Sequence, residues 1–403
     1  MESRRPIYRP PAPPAARRHR KSVYIRRRIL VGAVLAFFLF VIYLGISLGF
    51  ALTNQGLGAS YSARAAEWGR SNGMGWAVTW VETEWYKLNP APKGGKPQTG
   101  AFKTNPDRIK IPKGVIHTPW PKRMVSPAGK WLPGEGVWQP VGRLTAKGVP
   151  AVLVTHVRVD KVHTSEVAGV AWMDSTLLRA QLYSGSFIPG PLPGGKTYKY
   201  SAPVTPANSK TMVAAFNAGF RIQDANGGYY TQGMMIKPLR KGAASVVVYK
   251  DGVMTVAKWG RDAVMTNQVV SVRQNLDLIV DHSKVVPGLD SPNSVKWGKV
   301  LGGSFNVWRS GLGVTKNGAY VYVGGPALSI SSLANLLVLA GAVRGMELDI
   351  NTDWVQYAYY RGTTGKAING GDGTNLLSQM SYSPSRFFST WMNRDFYVMQ
   401  LVK

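Results

Sequence analysis

The apolar positions of this chain fall into two regimes. From Ile29 to Leu52 no residue carries a charge. That run is long enough to cross a hydrocarbon layer of roughly 30 Å. Further on, the dominant pattern is alternation with period two, the signature of half-buried strands. AVLVTHVRVD (151–160) predicts a strand, and the apolar run 212–220 another. SVVVYKDGVMTVAKWG (245–260) predicts a hairpin turning at Asp251-Gly252, and residues 304–325 predict a second turning at Asn317-Gly318. Residues 274–288 hold a further strand, and the apolar end of 383–402 adds a closing one.

Between these, Ser329–Ala342 has helical character, with Ser331 and Ser332 able to cap its start and Gly341 near its end. Strict alternation follows, with Met346, Leu348 and Ile350 on one face and Glu347, Asp349 and Asn351 on the other. The expected fold class is α+β: a mixed, mostly antiparallel sheet with packed helices, preceded by one transmembrane helix.

Residues 1–28 read as a disordered basic tail, 29–52 as the transmembrane helix, 53–137 as a juxtamembrane aromatic segment and Pro/Gly-rich linker, and 138–403 as the main domain. Basic residues Arg17 to Arg28 flank the apolar run, so the positive-inside rule puts the N-terminus in the cytoplasm and the remainder outside. A cleaved signal peptide, with Ala63-Arg64-Ala65 as a faint cleavage match, is the alternative; the apolar run exceeds the usual signal core of roughly 7–15 residues, which favours a retained anchor. Trp68, Trp76, Trp80 and Trp85 suit either a helix at the membrane interface or packing against the main domain.

Composition narrows the partners. With 45 Gly, 26 Pro, 13 Trp and 18 Tyr the chain is turn-rich rather than a helical bundle, and without cysteine it has neither disulfides nor thiol chemistry. The first fifty residues hold ten Arg/Lys and one acid, so +20 of the net +29 lies beyond them. A basic body outside a membrane meets anionic polymers, such as phosphate-bearing wall glycans, or anionic lipid head groups. No nucleic-acid-binding motif accompanies the charge, so nucleic acid is not an expected partner.

In a chain with only 20 acids, Glu347 and Asp349 side by side on one strand are the first candidates for catalytic carboxylates. Asn217, followed by Ala218, Gly219 and Phe220, brings an amide and backbone N–H groups to a turn that suits either a plain connection or an anion-binding nest. The polar loop Gly370–Asn375, with Asp372, lies beyond. Beside Asp349 and Asp353 it offers oxygens of the kind Ca²⁺ takes, without an EF-hand register; otherwise no cofactor is expected. His156, His163 and Asp174 lack metal-ligand spacing.

The order of these stations resembles the phosphodiester glycosidase family, whose members include the uncovering enzyme that removes N-acetylglucosamine from its 1-phosphodiester. The resemblance runs over residues 138–400. It rests on Asn217-Ala218-Gly219-Phe220, where the family has Asn-Gly-Gly-Phe, and on Thr231-Gln232-Gly233 before the Asp251-Gly252 hairpin. It continues through Trp308-Arg309-Ser310-Gly311-Leu312-Gly313 to Glu347-Leu348-Asp349-Ile350-Asn351, where the family has Asn-Leu-Asp-Gly-Gly. Ile350-Asn351 departs from the pattern, replacing a backbone-lined loop by more strand with an amide side chain. The resemblance implies a cleft at these stations. There Asp349 would act as nucleophile or base with Glu347 as partner, Arg309 would fork the phosphate, Asn217 and Gly219 would hold phosphate or sugar hydroxyls, and Asn351 and Asp372 would orient the sugar. Trp354 or Trp308 would stack on a ring or pack in the core. Two functions stay open: a membrane-anchored, extracytoplasmic hydrolase of sugar-1-phosphodiesters in phosphate-containing glycans, and a non-catalytic protein that binds anionic cell-envelope glycans.

Overall fold

A computed structural model describes residues 16–103, 114, 117–190, 198–291, 297 and 306–402, with residues 16–22 as backbone only. The chain divides into two compact units, Met1–Asn54 and Gln55–Lys403. In the first, helix α1 (Ala16–Thr53) is long and apolar enough over Val23–Thr53 to cross a membrane, a character that a signal sequence shares. It differs from the expected tail by extending back through 16–28. The helix begins two residues past Pro14, and from there to Leu88 no proline interrupts the chain, while Arg and Lys are good helix formers. The rest of the expected tail, residues 1–15, lies outside the described residues.

The second unit starts with α2 (Tyr61–Ser71) and α3 (Gly75–Leu88). Ser60 caps α2 by accepting from the Ala63 N–H, and Pro90 follows the end of α3. Trp76, Trp80 and Trp85 on α3 are exposed, so these three do not pack into the body. The unit thus takes in the segment that reads as linker in sequence.

Among the described residues the body is built from three sheets, and all their ladders are antiparallel. The largest runs Gln139–Leu144, Pro150–Arg158, Val167–Met173, Tyr320–Leu328, Val307–Thr315, Ala342–Asp349, Leu278–Asp281 and Lys284–Val285 in spatial order. A second centres on Met212–Asn217, between Tyr357–Tyr360 and the C-terminal strand Phe396–Leu401. The third holds Val269–Gln274 beside Ala244–Tyr249 and its hairpin partner Met254–Lys258. Both expected hairpins form, with Gly252 and Gly318 at φ +76° and +84° in the turns, a region closed to most side chains. A short helix, α4 (Ile222–Ala225), follows the Asn217 turn.

Helix α5 (Ile330–Leu339) follows the long hairpin of the large sheet. Its cap is Ser329, whose side chain accepts from the Ser332 N–H, two residues earlier than the serines expected. The helix lies close because the strands beneath it carry glycine. A Cβ at Gly311 would stand 3.2 Å from both Leu333 and Leu337, one at Gly345 3.0 Å from Leu337, and one at Gly313 only 2.7 Å from the Ala342 Cβ. Leu333 and Leu337 are fully buried in this contact. Gly313→Val should therefore destabilise the unit by about 1–3 kcal/mol through overpacking, read as a lowered Tm, whereas Lys316→Ala in the exposed turn should change it by under ~0.5 kcal/mol.

Candidate functional site

The Ala342–Asp349 strand ends where the three sheets come together. Gly311 pairs with Glu347, but the next residue, Ser310, pairs with Asp349 rather than Leu348. One extra residue therefore sits in the strand, a bulge that breaks the alternation before Asp349. Asp349 lies near Tyr322, whose phenol is pushed up by burial and further by the Asp349 charge, whereas Glu347 pairs elsewhere. The expected side-by-side pair of carboxylates is thus opened by the bulge. The chain then turns: the Asp349 carboxylate (Oδ1) accepts from the N–H groups of Ile350 (2.8 Å) and Asn351 (3.0 Å), and Asn351 Oδ1 accepts from Asp353 N–H (2.9 Å). Ile350 and Asn351 lie in this turn, not in the strand.

Two asparagines tie the other sheets to this point. Asn217 Nδ2 donates to Ser310 Oγ (3.1 Å), and that hydroxyl accepts from Asp349 N–H (3.2 Å). Asn217 Oδ1 accepts from Tyr322 OH (2.9 Å) and from Gln356 N–H (3.3 Å). Below Asn217, Phe216 stacks on Tyr357 with ring centroids 5.8 Å apart, so the amide rests on rigid aromatic core. Asn275, just past the Val269–Gln274 strand, donates to the Glu347 and Leu348 carbonyls (2.5 and 3.0 Å). Gly219 makes this approach possible: at φ +151° it leaves the space where a Cβ would stand 3.2–3.3 Å from the Asn275 amide.

The two acids differ in state. Glu347 Oε1 accepts from Arg309 Nη1 at 2.5 Å, and Arg309 Nε donates to the Leu328 carbonyl, so this pair is a buried brace between adjacent strands. Burial raises the Glu347 pKa, with Arg309 opposing. Asp349 is 3% exposed, and burial raises its pKa to about 6 against the pull of Arg394 and its two N–H donors. Its Oδ2 has no hydrogen-bond partner among the described residues and stands 3.9 Å from Arg394 Nη1. A buried carboxylate with one oxygen held and the other bare can accept a proton, hold one or attack near neutral pH.

Four contributors to this neighbourhood carry no sequence motif. Glu67 of α2 is buried, and its Oε1 accepts from both Arg221 Nη1 and Arg394 Nη2 at 3.1 Å. The Arg394 guanidinium stacks over Trp354, 3.6 Å from the ring centre, and Arg386 lies 4.3 Å from the same ring. Arg386 is buried and its pKa falls to about 10 through desolvation. Trp354 is therefore covered by cations, and Trp308 packs against the main core.

Asp372 stands apart. Its carboxylate accepts from Asn369 N–H, and its carbonyl accepts from Arg361 N–H, at the opposite end of the Tyr357–Tyr360 strand from Gln356. The histidines are structural: His156 Nε2 meets the Leu376 carbonyl, and His163 pairs with Asp160. Asp174 accepts from Thr118 and Thr176. Among the described residues no three His, Asp or Glu side chains gather as a metal site.

No protein-family profile matches the chain, and no curated protein matches it in sequence. It is distantly similar in structure to the zebrafish N-acetylglucosamine-1-phosphodiester alpha-N-acetylglucosaminidase catalytic domain, auto-inhibited by pro-peptide. There the identity is 13% and the TM-score 0.39, covering 65% of this chain and 87% of that one. A Synechocystis protein is similar at 10% identity and a TM-score of 0.33, covering 62% of each chain.

Because the folded pKa of Asp349 lies above its unfolded value, the folded state binds the extra proton between about pH 4 and 6, and stability is lost as pH rises through that window. Asp349→Asn removes this dependence while keeping the oxygen that faces the two N–H groups. The stability difference between the variant and the wild type should therefore grow in the variant's favour from pH 4 to pH 7, by up to about 2–3 kcal/mol. Glu347→Gln should instead lower stability by about 3–5 kcal/mol, because it removes the carboxylate charge that faces the buried Arg309 guanidinium; denaturant midpoints check both.

Proposed function

We propose that the chain is a hydrolase of sugar-1-phosphodiesters, held at a membrane by α1 with its N-terminus inside and residues 55–403 outside. The observation that carries this reading is Asp349, a buried carboxylate with its pKa near 6, one oxygen fixed and the other bare, beside Asn217 and Arg394. The order of motifs in the sequence supports the same reading. In the reaction, water is consumed, the bond from the anomeric carbon to the phosphate oxygen breaks, and the products are the free sugar and a phosphate monoester.

Asp349 acts as nucleophile or as base toward water. Phosphate leaves readily, so little acid assistance is needed, and cations near the leaving group offset its charge. Asn217, Gly219 and Asn351 shape the wall around the anomeric centre. Arg309 and Glu347 act from beneath, by fixing the strand that presents Asp349.

The basic body also favours a second reading, a glycan-binding protein without turnover, whose affinity would fall steeply with salt. The full chain in detergent, given a panel of sugar-1-phosphodiesters, separates the two. Sugar release should rise with pH through about 6 and drop at least ~100-fold in Asp349→Asn. No release from any diester, or release that Asp349→Asn leaves unchanged, rejects the enzymatic reading.

A further inference from the structure

Glu67 does not belong to the three-sheet body, yet its carboxylate is 3% exposed and is met by guanidiniums from two distant parts of that body. Arg221 comes from the turn after the Asn217 strand and Arg394 from the residues before the C-terminal strand. Both donate to the same oxygen, Oε1, at 3.1 Å. Arg70 stands 3.8 Å from the other oxygen but is engaged by Glu82.

Neither arginine is arranged for Glu67 alone. Arg394 is fixed over Trp354 and reaches toward the bare oxygen of Asp349. Arg221 is fixed by a two-point bridge to the half-exposed Asp224 (2.6 and 3.1 Å). So the body preorganises two convergent forks, and one carboxylate, carried by an added helix, fills the space between them. A single carboxylate oxygen is a sparse match: Arg221 Nη1 and the Arg394 guanidinium share it, whereas a phosphate presents several oxygens and more charge. Glu67 lies on α2, and the next helix, α3, buries no residue fully; the stretch before α2 meets the body through bonds from Ala59 N–H to Asp353 and from Tyr382 OH to the Gln55 carbonyl.

We infer that Arg221 and Arg394 form an anion seat for a phosphate mono- or diester, beside Asp349, and that Glu67 is the internal counter-ion holding the seat in the absence of that ligand. This deepens the hydrolase reading by naming the residues that receive the phosphate, but the seat's binding is measurable without turnover. Phosphate and Glu67 compete for the same two guanidiniums, so weakening the internal anion must strengthen the external one.

The test uses the full chain in detergent with inorganic phosphate as probe and chloride at matched ionic strength as control. The wild type should show little phosphate-specific change in Tm. Glu67→Gln should show a rise of roughly 3–6 °C at saturating phosphate. Adding Arg394→Gln to Glu67→Gln should abolish that rise. If Glu67→Gln is not recovered folded, Glu67→Asp carries the same measurement with a shortened carboxylate and should show a smaller phosphate-specific rise. Absence of any such rise in the variant measured, or a rise that survives Arg394→Gln, overturns the inference. Dimethyl phosphate in solution and phosphatidylglycerol in mixed micelles distinguish a soluble diester from a lipid head group as the source. Phosphate binding by Glu67→Gln in a chain that releases no sugar would leave the seat standing and remove only the hydrolase reading.

Discussion

The Ser310 hydroxyl is the joint on which the arrangement depends. It accepts from Asn217 of one sheet and from the Asp349 backbone of another, while Asn275 reaches in from the third to the carbonyls of Glu347 and Leu348. Three sheets are thereby registered to one strand end by short, directional bonds, none of which a generic apolar core supplies. The junction is dry enough to raise the Asp349 pKa and polar enough to fix its conformation. Replacing any of these side chains by an apolar one would leave buried donors or acceptors unmet, so the arrangement resists drift.

The body carries a large cationic excess, and it sets acids against most of its buried arginines. Arg309 meets Glu347, Arg273 meets Asp395, Arg158 meets Glu135, and Arg394 shares Glu67 with Arg221. The first three pairs lie wholly within the sheets and their adjoining turns. The last depends on a helix near the start of the unit, and it is the one that borders the bare oxygen of Asp349. Excess positive charge elsewhere is solvated, and its attraction for anionic surfaces extends only over a screening length of about 8–10 Å at moderate salt.

Much of the fold was legible because it is written in local pattern. Alternation marked both hairpins, Asp-Gly and Asn-Gly marked their turns, and the apolar run marked α1. The Asn217 turn and Asp349 stood out as candidates, since a lone amide beside glycine and acids in an acid-poor chain draw the eye. What escaped was set by tertiary closure. Glu67, Arg221 and Arg394 are separated by more than 150 residues at each step and carry no spacing signal. The bulge before Asp349 is decided by pairing with Ser310, not by the alternation of the strand itself. Arg309 looked like a surface fork because nothing local shows that Glu347 lies across from it. Asp372 looked close to Asp349 because sequence distance hides that the intervening strand carries it to the other end of the sheet.

The three indole rings along α3 have a practical consequence. Trp76, Trp80 and Trp85 are each more than 60% exposed, on a helix that buries nothing fully. Removing α1 would therefore not yield an ordinary water-loving fragment. The aromatic ridge would remain as an adhesive strip, drawing molecules together or onto detergent, so handling the shortened protein in plain buffer courts aggregation.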